Sequence, residues 1–348
     1  MKKLILILTI LALIAVPIMS LPAAADDSGF TEVNKSFSID SDEGHRIPEG
    51  STVHHLRDGI TKVFGPDKSL ILKAKDTESS EVNTPNGPKK ATHVFGIPNE
   101  SRIKQTAKGV LEVYQGDSIV LTIIDENPVN ENLPSPFTKT DSWIECCQSY
   151  QSDSNPTTIQ ADYTYARWNV PATYSPESNT IIYIFNGFTP SNGAYIVQPV
   201  LEYNRWSQNS WTCTAWYVSS QNELYSQSHV PAWVGDEVEG GMQSQGGDDW
   251  MVSIDNYTQG GETASRIFYD TSIYPSGLLA FWALEGYNIY NDGDAPASIT
   301  FTDIEVTYNG NPVNYTGYAW ESSDWEQILT SINPYWISST SARLYVYH

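Results

Sequence analysis

From Trp143 onward the chain is a succession of short β-prone runs closed by turn signals, and that recurrence leaves few folds open. The runs span residues 162–170, 180–185, 194–203, 212–218, 237–243, 250–256, 264–269, 278–290 and 298–308. Their valines, isoleucines, tyrosines and tryptophans suit a pleated, half-buried surface, and the Gly, Asn, Asp and Ser between them supply turns. Helical periodicity is nearly absent, with only a weak pattern at 323–332. Strands at this spacing predict an all-β, antiparallel sandwich or barrel. With 21 Tyr and 11 Trp and only 17% charged residues, the chain can fill a large core.

Residues 1–140 differ. Met1-Lys2-Lys3, an apolar run to Pro17 and Ala23-Ala24-Ala25 have the layout of a secretory signal, so residues 1–25 are expected to be removed and the protein exported. No later run is apolar enough to span a bilayer, and no membrane association is expected after cleavage. Residues 26–140 form a small β-rich segment holding His45, His54 and His55 and two hairpin-like stretches, around 60–73 and 109–124. Residues 76–90 read as loop and 127–140 as linker, both from their Pro, Asn and Gly content. The segment reads as a pro-region or an accessory module, ahead of a main domain at 141–348.

Charge divides the same way. The main domain has 23 carboxylates against Arg167, Arg205, Arg266 and Arg343, and no lysine; residues 26–140 carry 13 of the 19 basic side chains. Such a surface repels phosphate backbones, so nucleic acid is excluded as a partner. It fits either work in acid or solubility outside the cell. The three cysteines are the vicinal Cys146-Cys147 and Cys213; in an oxidising compartment one of the pair is expected to bridge to Cys213.

No Gly-x-Ser-x-Gly, His-Glu-x-x-His or phosphate-binding loop is present. The main domain has only His229 and the terminal His348, and His229 reads as structural. Catalysis there would fall to carboxylates and amides. Gln198 interrupts the apolar run Tyr195-Ile196-Val197-Gln198-Pro199-Val200-Leu201, and Glu285 ends the run Ala280-Phe281-Trp282-Ala283-Leu284-Glu285. Strand alternation puts Gln198 with Ile196 and Val200, and Glu285 with Phe281, Ala283 and Tyr287. A lone carboxylate in such a strand is costly unless solvated or partnered. Asp236-Glu237-Val238-Glu239, which could mimic paired glycosidase acids, reads as a turn entering a strand.

These two runs resemble the active-site strands of the eqolisins, the glutamic peptidases. The resemblance continues in order through Tyr165–Pro171, Ala215-Trp216-Tyr217, Val234–Val238, Ile254–Gly260 and Phe301-Thr302-Asp303, covering about residues 160–310. It departs where the family's Trp-Val-Gly-Ile-Asp-Gly becomes Tyr183–Phe188, where its acids beside Ala-Trp-Tyr become Thr214 and Val218, and where a glutamate becomes Phe281. The resemblance implies a concanavalin-like, jelly-roll sandwich and a secreted, acid-active endopeptidase needing no metal or other cofactor. Glu285 would be general base and Gln198 oxyanion donor, with Trp216, Tyr287 and Phe281 binding a peptide or protein substrate. The more basic 26–140 could dock on the acidic domain as an inhibitory pro-region. The alternative is a non-catalytic, secreted lectin-like or surface-binding sandwich, with a glycan partner, that keeps the pair by descent.

Overall fold

The structure, a computed structural model, describes residues 37–38, 45–79, 81–126, 143–150, 159–172, 179–190, 195–205, 209–219, 221–246, 249–260, 264–270, 276–313, 316–321, 329 and 333–346. The expected signal at 1–25 and linker at 127–140 lie outside the described residues, as does the weak helix at 323–332 apart from Leu329.

Two large sheets pack face to face. Within the main domain the first runs Thr316–Glu321, Trp143–Tyr150, Ser276–Tyr287, Ile181–Pro190, Tyr195–Tyr203, Trp211–Ser219, Glu223–Ser226, each antiparallel to the next. The second runs Tyr335–Ser338, Ser341–Tyr345, Ser298–Tyr308, Tyr163–Asn169, Glu237–Gly246, Asp249–Asn256, Ala264–Asp270, again antiparallel throughout. The all-β sandwich expected from turn spacing is the fold, and each of the nine predicted runs falls on a strand, while Trp143–Tyr150, Glu223–Ser226, Thr316–Glu321, Tyr335–Ser338 and Ser341–Tyr345 are strands outside those runs.

Burial separates the two sheets. Asp249–Asn256 alternates half-buried and buried residues, as a sheet with one wet face must. In contrast, every residue of Tyr195–Tyr203 and nearly every residue of Ile181–Pro190 is buried. One face of these strands meets the second sheet, where Asn186 donates to the Gly240 carbonyl and Phe188 packs on Trp250. The opposite face must therefore have a second cover. Residues before 126 provide it.

Those residues join both sheets. Val94–Ile97 adds to the first sheet in parallel with Glu223–Ser226, and Ser101–Ala107 adds to the second in parallel with Ala264–Asp270. The predicted hairpins are present as Ile60–Phe64 with Leu70–Lys75 and Val110–Gln115 with Ser118–Asp125. The stretch 76–90 is not the loop its composition indicated: Glu81–Thr84 and Gly87–Lys90 pair as a two-stranded hairpin turning at Pro85-Asn86. Proline second and glycine fourth in Thr84-Pro85-Asn86-Gly87 is a turn pattern, and Gly87 takes φ +99°, which a side chain would resist.

The expected disulfide does not form; all three cysteines are buried free thiols. Cys146 and Cys147 lie on Trp143–Tyr150, whereas Cys213 lies on Trp211–Ser219, with three strands of the same sheet between them. Four steps of about 4.8 Å put the two strands roughly 19 Å apart, against the less than about 7 Å between Cα atoms that a disulfide tolerates. Burial pushes all three thiols up, so they remain protonated.

Candidate active site

Gln198 and Glu285 are placed by register. Tyr183 on the intervening strand faces Glu285 on one side and Glu202 on the other, and Gln198 faces Trp216. Paired residues share a face and alternate residues repeat it. Glu285, Tyr183, Glu202, Gln198, Trp216, Tyr225 and Glu223 therefore stand on one surface of the first sheet, turned away from the second sheet. Gly187 lies level with Gln198; a Cβ there would come within 2.3 Å of the Phe281 ring. Its bare backbone lets Phe281 lie across the floor between Trp143 and Phe185.

The tip of the 81–90 hairpin lies on this surface. Three successive carbonyls are held by three side chains: Tyr183 Oη donates to Asn83 O at 2.8 Å, Tyr287 Oη to Thr84 O at 2.8 Å, and Gln198 Nε2 to Pro85 O at 3.0 Å. A carbonyl only accepts, so the contact fixes which end of the Gln198 amide points at the peptide. Tyr287 Oη also lies 2.6 Å from Glu285 Oε1. The hairpin thus touches Gln198 directly and Glu285 only through Tyr287; in register Gln198 stands level with Gly187 and Phe281, four residues along the strand from Glu285 on the same surface. Thr84, Pro85, Gln198 and Glu285 are all buried.

Electrostatically the groove is an acid cluster with few cations. Burial pushes Glu202 up, opposed by Arg205 at 3.6 Å and by the Trp216 indole, which donates to Glu202 Oε1 at 2.6 Å. The Arg205 guanidinium packs on the rings of Trp216 and Tyr225, at 4.1 and 4.2 Å from their centroids. Burial likewise pushes Glu223 up, opposed first by Lys89 of the hairpin, whose Nζ lies 3.8 Å from Glu223 Oε1. Burial also pushes the Tyr183 hydroxyl up, so it stays a donor.

Of the residues expected to bind substrate, Tyr287 touches the resident peptide, Trp216 supports Glu202, and Phe281 packs beneath the groove. His229 is a partly buried residue with Nδ1 3.2 Å from Thr214 Oγ1, and burial lowers it to about 4. Sequence reasoning passed over Tyr183, Glu202, Arg205, Glu223 and the hairpin. Asp294 closes a capping box with Asn291.

Among the described residues one group brings metal-type donors together: His55, His93 and Asp125, within 4.8 Å of one another. The two imidazoles stack at 3.9 Å with planes 16° apart. Parallel rings aim their in-plane lone pairs side by side, not at a common point, so the trio does not form a ready cation site. It is a polar knot at the foot of the hairpin, where His93 Nδ1 lies 3.3 Å from Asn222 Oδ1 and Asn222 Nδ2 donates to Asp125 at 2.8 Å.

No family model matches the chain, and no curated protein does. Among solved structures it is similar to scytalido-glutamic peptidase with a transition state analog inhibitor, at 16% identity and a TM-score of 0.40 over 59% of this chain and 98% of that one. SCP-B, a member of the eqolisin family of peptidases in complex with a tripeptide Ala-Ile-His, gives 16% identity and a TM-score of 0.39 over the same shares. A laminarinase from Flavobacterium sp. UMI-01 gives 8% and 0.25, over 63% of this chain and 82% of that one. All three are remote likenesses of fold, and none bears on chemistry.

Proposed function

We propose that this protein is an exported, metal-independent peptidase of the glutamic type, held in an inhibited form by its own residues 26–140. The observation that carries the reading is the bound peptide itself: the backbone at Asn83–Pro85 occupies the groove with its carbonyls bonded to Tyr183, Tyr287 and Gln198. A surface that grips successive peptide carbonyls is built to take a polypeptide backbone.

In this reading Gln198 Nε2, which now holds the Pro85 carbonyl, donates to the oxygen that becomes an oxyanion when a scissile carbonyl is attacked. Glu285, ionised, takes a proton from water as that water attacks the carbonyl carbon, then returns it to the departing amine. With Thr84 gone, the single Tyr287 hydroxyl proton turns to Glu285 Oε1, 2.6 Å away, and orients the carboxylate. The cycle leaves both side chains as they began. The hairpin must leave before a substrate can enter.

Hydrolysis of denatured casein between pH 2 and 7, after N-terminal sequencing of the secreted form, tests this. The Gln198→Ala variant is expected to lose about 10²–10³ in kcat, the worth of one oxyanion donor. Glu285→Gln is expected to lose more, because the base itself is gone. Activity indifferent to both substitutions, or glycan binding without proteolysis, would remove the reading in favour of a binding sandwich.

A further inference from the structure

Glu223 is a groove carboxylate whose leading cation, among the described residues, comes from the hairpin and not from the main domain. It opens the strand Glu223–Ser226 and is wholly buried. Of the groove's other two carboxylates, Glu202 has Arg205 at 3.6 Å and the Trp216 indole, and Glu285 has the Tyr287 hydroxyl. Glu223 has first Lys89, then the Thr84 side chain and, more weakly, Arg205; Lys89 and Thr84 both belong to the hairpin. When the hairpin leaves, its cation leaves with it, and an occupant that covers the surface again sets three carboxylates against a single guanidinium. An unpaired buried carboxylate is strongly disfavoured, so the next occupant either protonates Glu223 or brings a positive charge to it.

Lys89 is well suited to that position. It projects from the strand Gly87–Lys90 opposite Val82, two pairs below the tip whose carbonyls are gripped. Its side chain is 21% exposed while that of Glu223 is 0%, so a flexible ammonium reaches in from the rim to a fixed carboxylate. Lys90, its neighbour, is instead spent within the hairpin, with Nζ 3.1 Å from Glu81 Oε1.

We propose that Glu223 is the specificity-determining residue of this groove, and that the peptides it takes carry a lysine or arginine within a few residues of the carbonyl held by Gln198. Lys89 is the resident stand-in for that side chain. This rests on the peptide-groove reading above but not on turnover.

The test uses the full chain carrying Glu285→Gln in every arm, so its outcome is independent of casein hydrolysis. Hydrogen exchange of the 81–90 amides reads the hairpin's docking. Lys89→Ala and Glu223→Gln are each expected to speed that exchange by about tenfold or more, and Lys89→Arg by less than about threefold. A labelled decapeptide with the sequence of residues 81–90 is then titrated by fluorescence anisotropy against the Lys89→Ala chain. It should bind about tenfold more tightly than the same peptide with alanine in place of Lys89, and that preference should vanish when Glu223→Gln is added. Lys89 is a partly exposed hairpin residue whose loss leaves the sandwich folded, so the result does not depend on Glu223→Gln folding. Exchange unmoved by Lys89→Ala, or equal binding of the two peptides, would overturn the proposal.

Discussion

At Gly187 one hydrogen atom decides whether the floor of the groove can form. A methyl group there would overlap Phe281, with Val197 O a further 3.1 Å contact, and neither the packed ring nor the backbone has room to yield. Gly187→Ala should destabilise the fold by about 1–3 kcal/mol, the cost of overpacking a filled core, measured by urea unfolding. The sequence made Gln198 and Glu285 legible because each is a polar residue set in an apolar run. Glu202 was within reach of the same logic, four residues beyond Gln198 and so on its face. Arg205 offered only its rarity, as one of four cations in the last 208 residues. Glu223 had no signal, because Gln221-Asn222-Glu223 looks like any polar turn until a distant lysine docks on it.

At the level of strands, sequence patterning succeeded where a strand's own residues determine its burial and failed where tertiary contact does. The nine predicted runs of the main domain alternate or cluster apolar residues, and all nine are strands. The hairpin at 81–90 has few apolar residues; an isolated pair of strands is marginal in water and persists here because the groove takes up its carbonyls. The disulfide expectation failed for a related reason, since chemistry and compartment favoured a bond that strand order forbids. Thiol titration of the unfolded chain without reductant should find three reactive groups per molecule, and mass analysis should find no mixed disulfide. A finding of one would restore the bridge.

For the molecule as a whole, acid response is the difference between groups of opposite sign. Burial, with Glu239 nearby, raises Asp255 to about 6, against the pull of Arg266 and Arg167. The native state then holds a proton the unfolded chain has released, so this group's contribution falls as pH rises from about 4 to 6. Asp255→Asn should therefore gain on the order of 1–2 kcal/mol at pH 7 and almost nothing at pH 4, read by urea unfolding at both values. His229, lowered to about 4 by burial, works the other way: the unfolded chain binds the proton first, and stability is lost as pH falls from about 6.5 to 4.

The docking of the N-terminal strands onto both sheets has a consequence for any cut in the chain. Val94–Ile97 and Ser101–Ala107 are zipped by backbone hydrogen bonds to Glu223–Ser226 and Ala264–Asp270, closing one rim of each sheet. A nick between residues 126 and 143 would yield two polypeptides on a denaturing gel yet one particle on a sizing column. Parting them would bare two raw sheet margins to solvent and to every neighbouring copy.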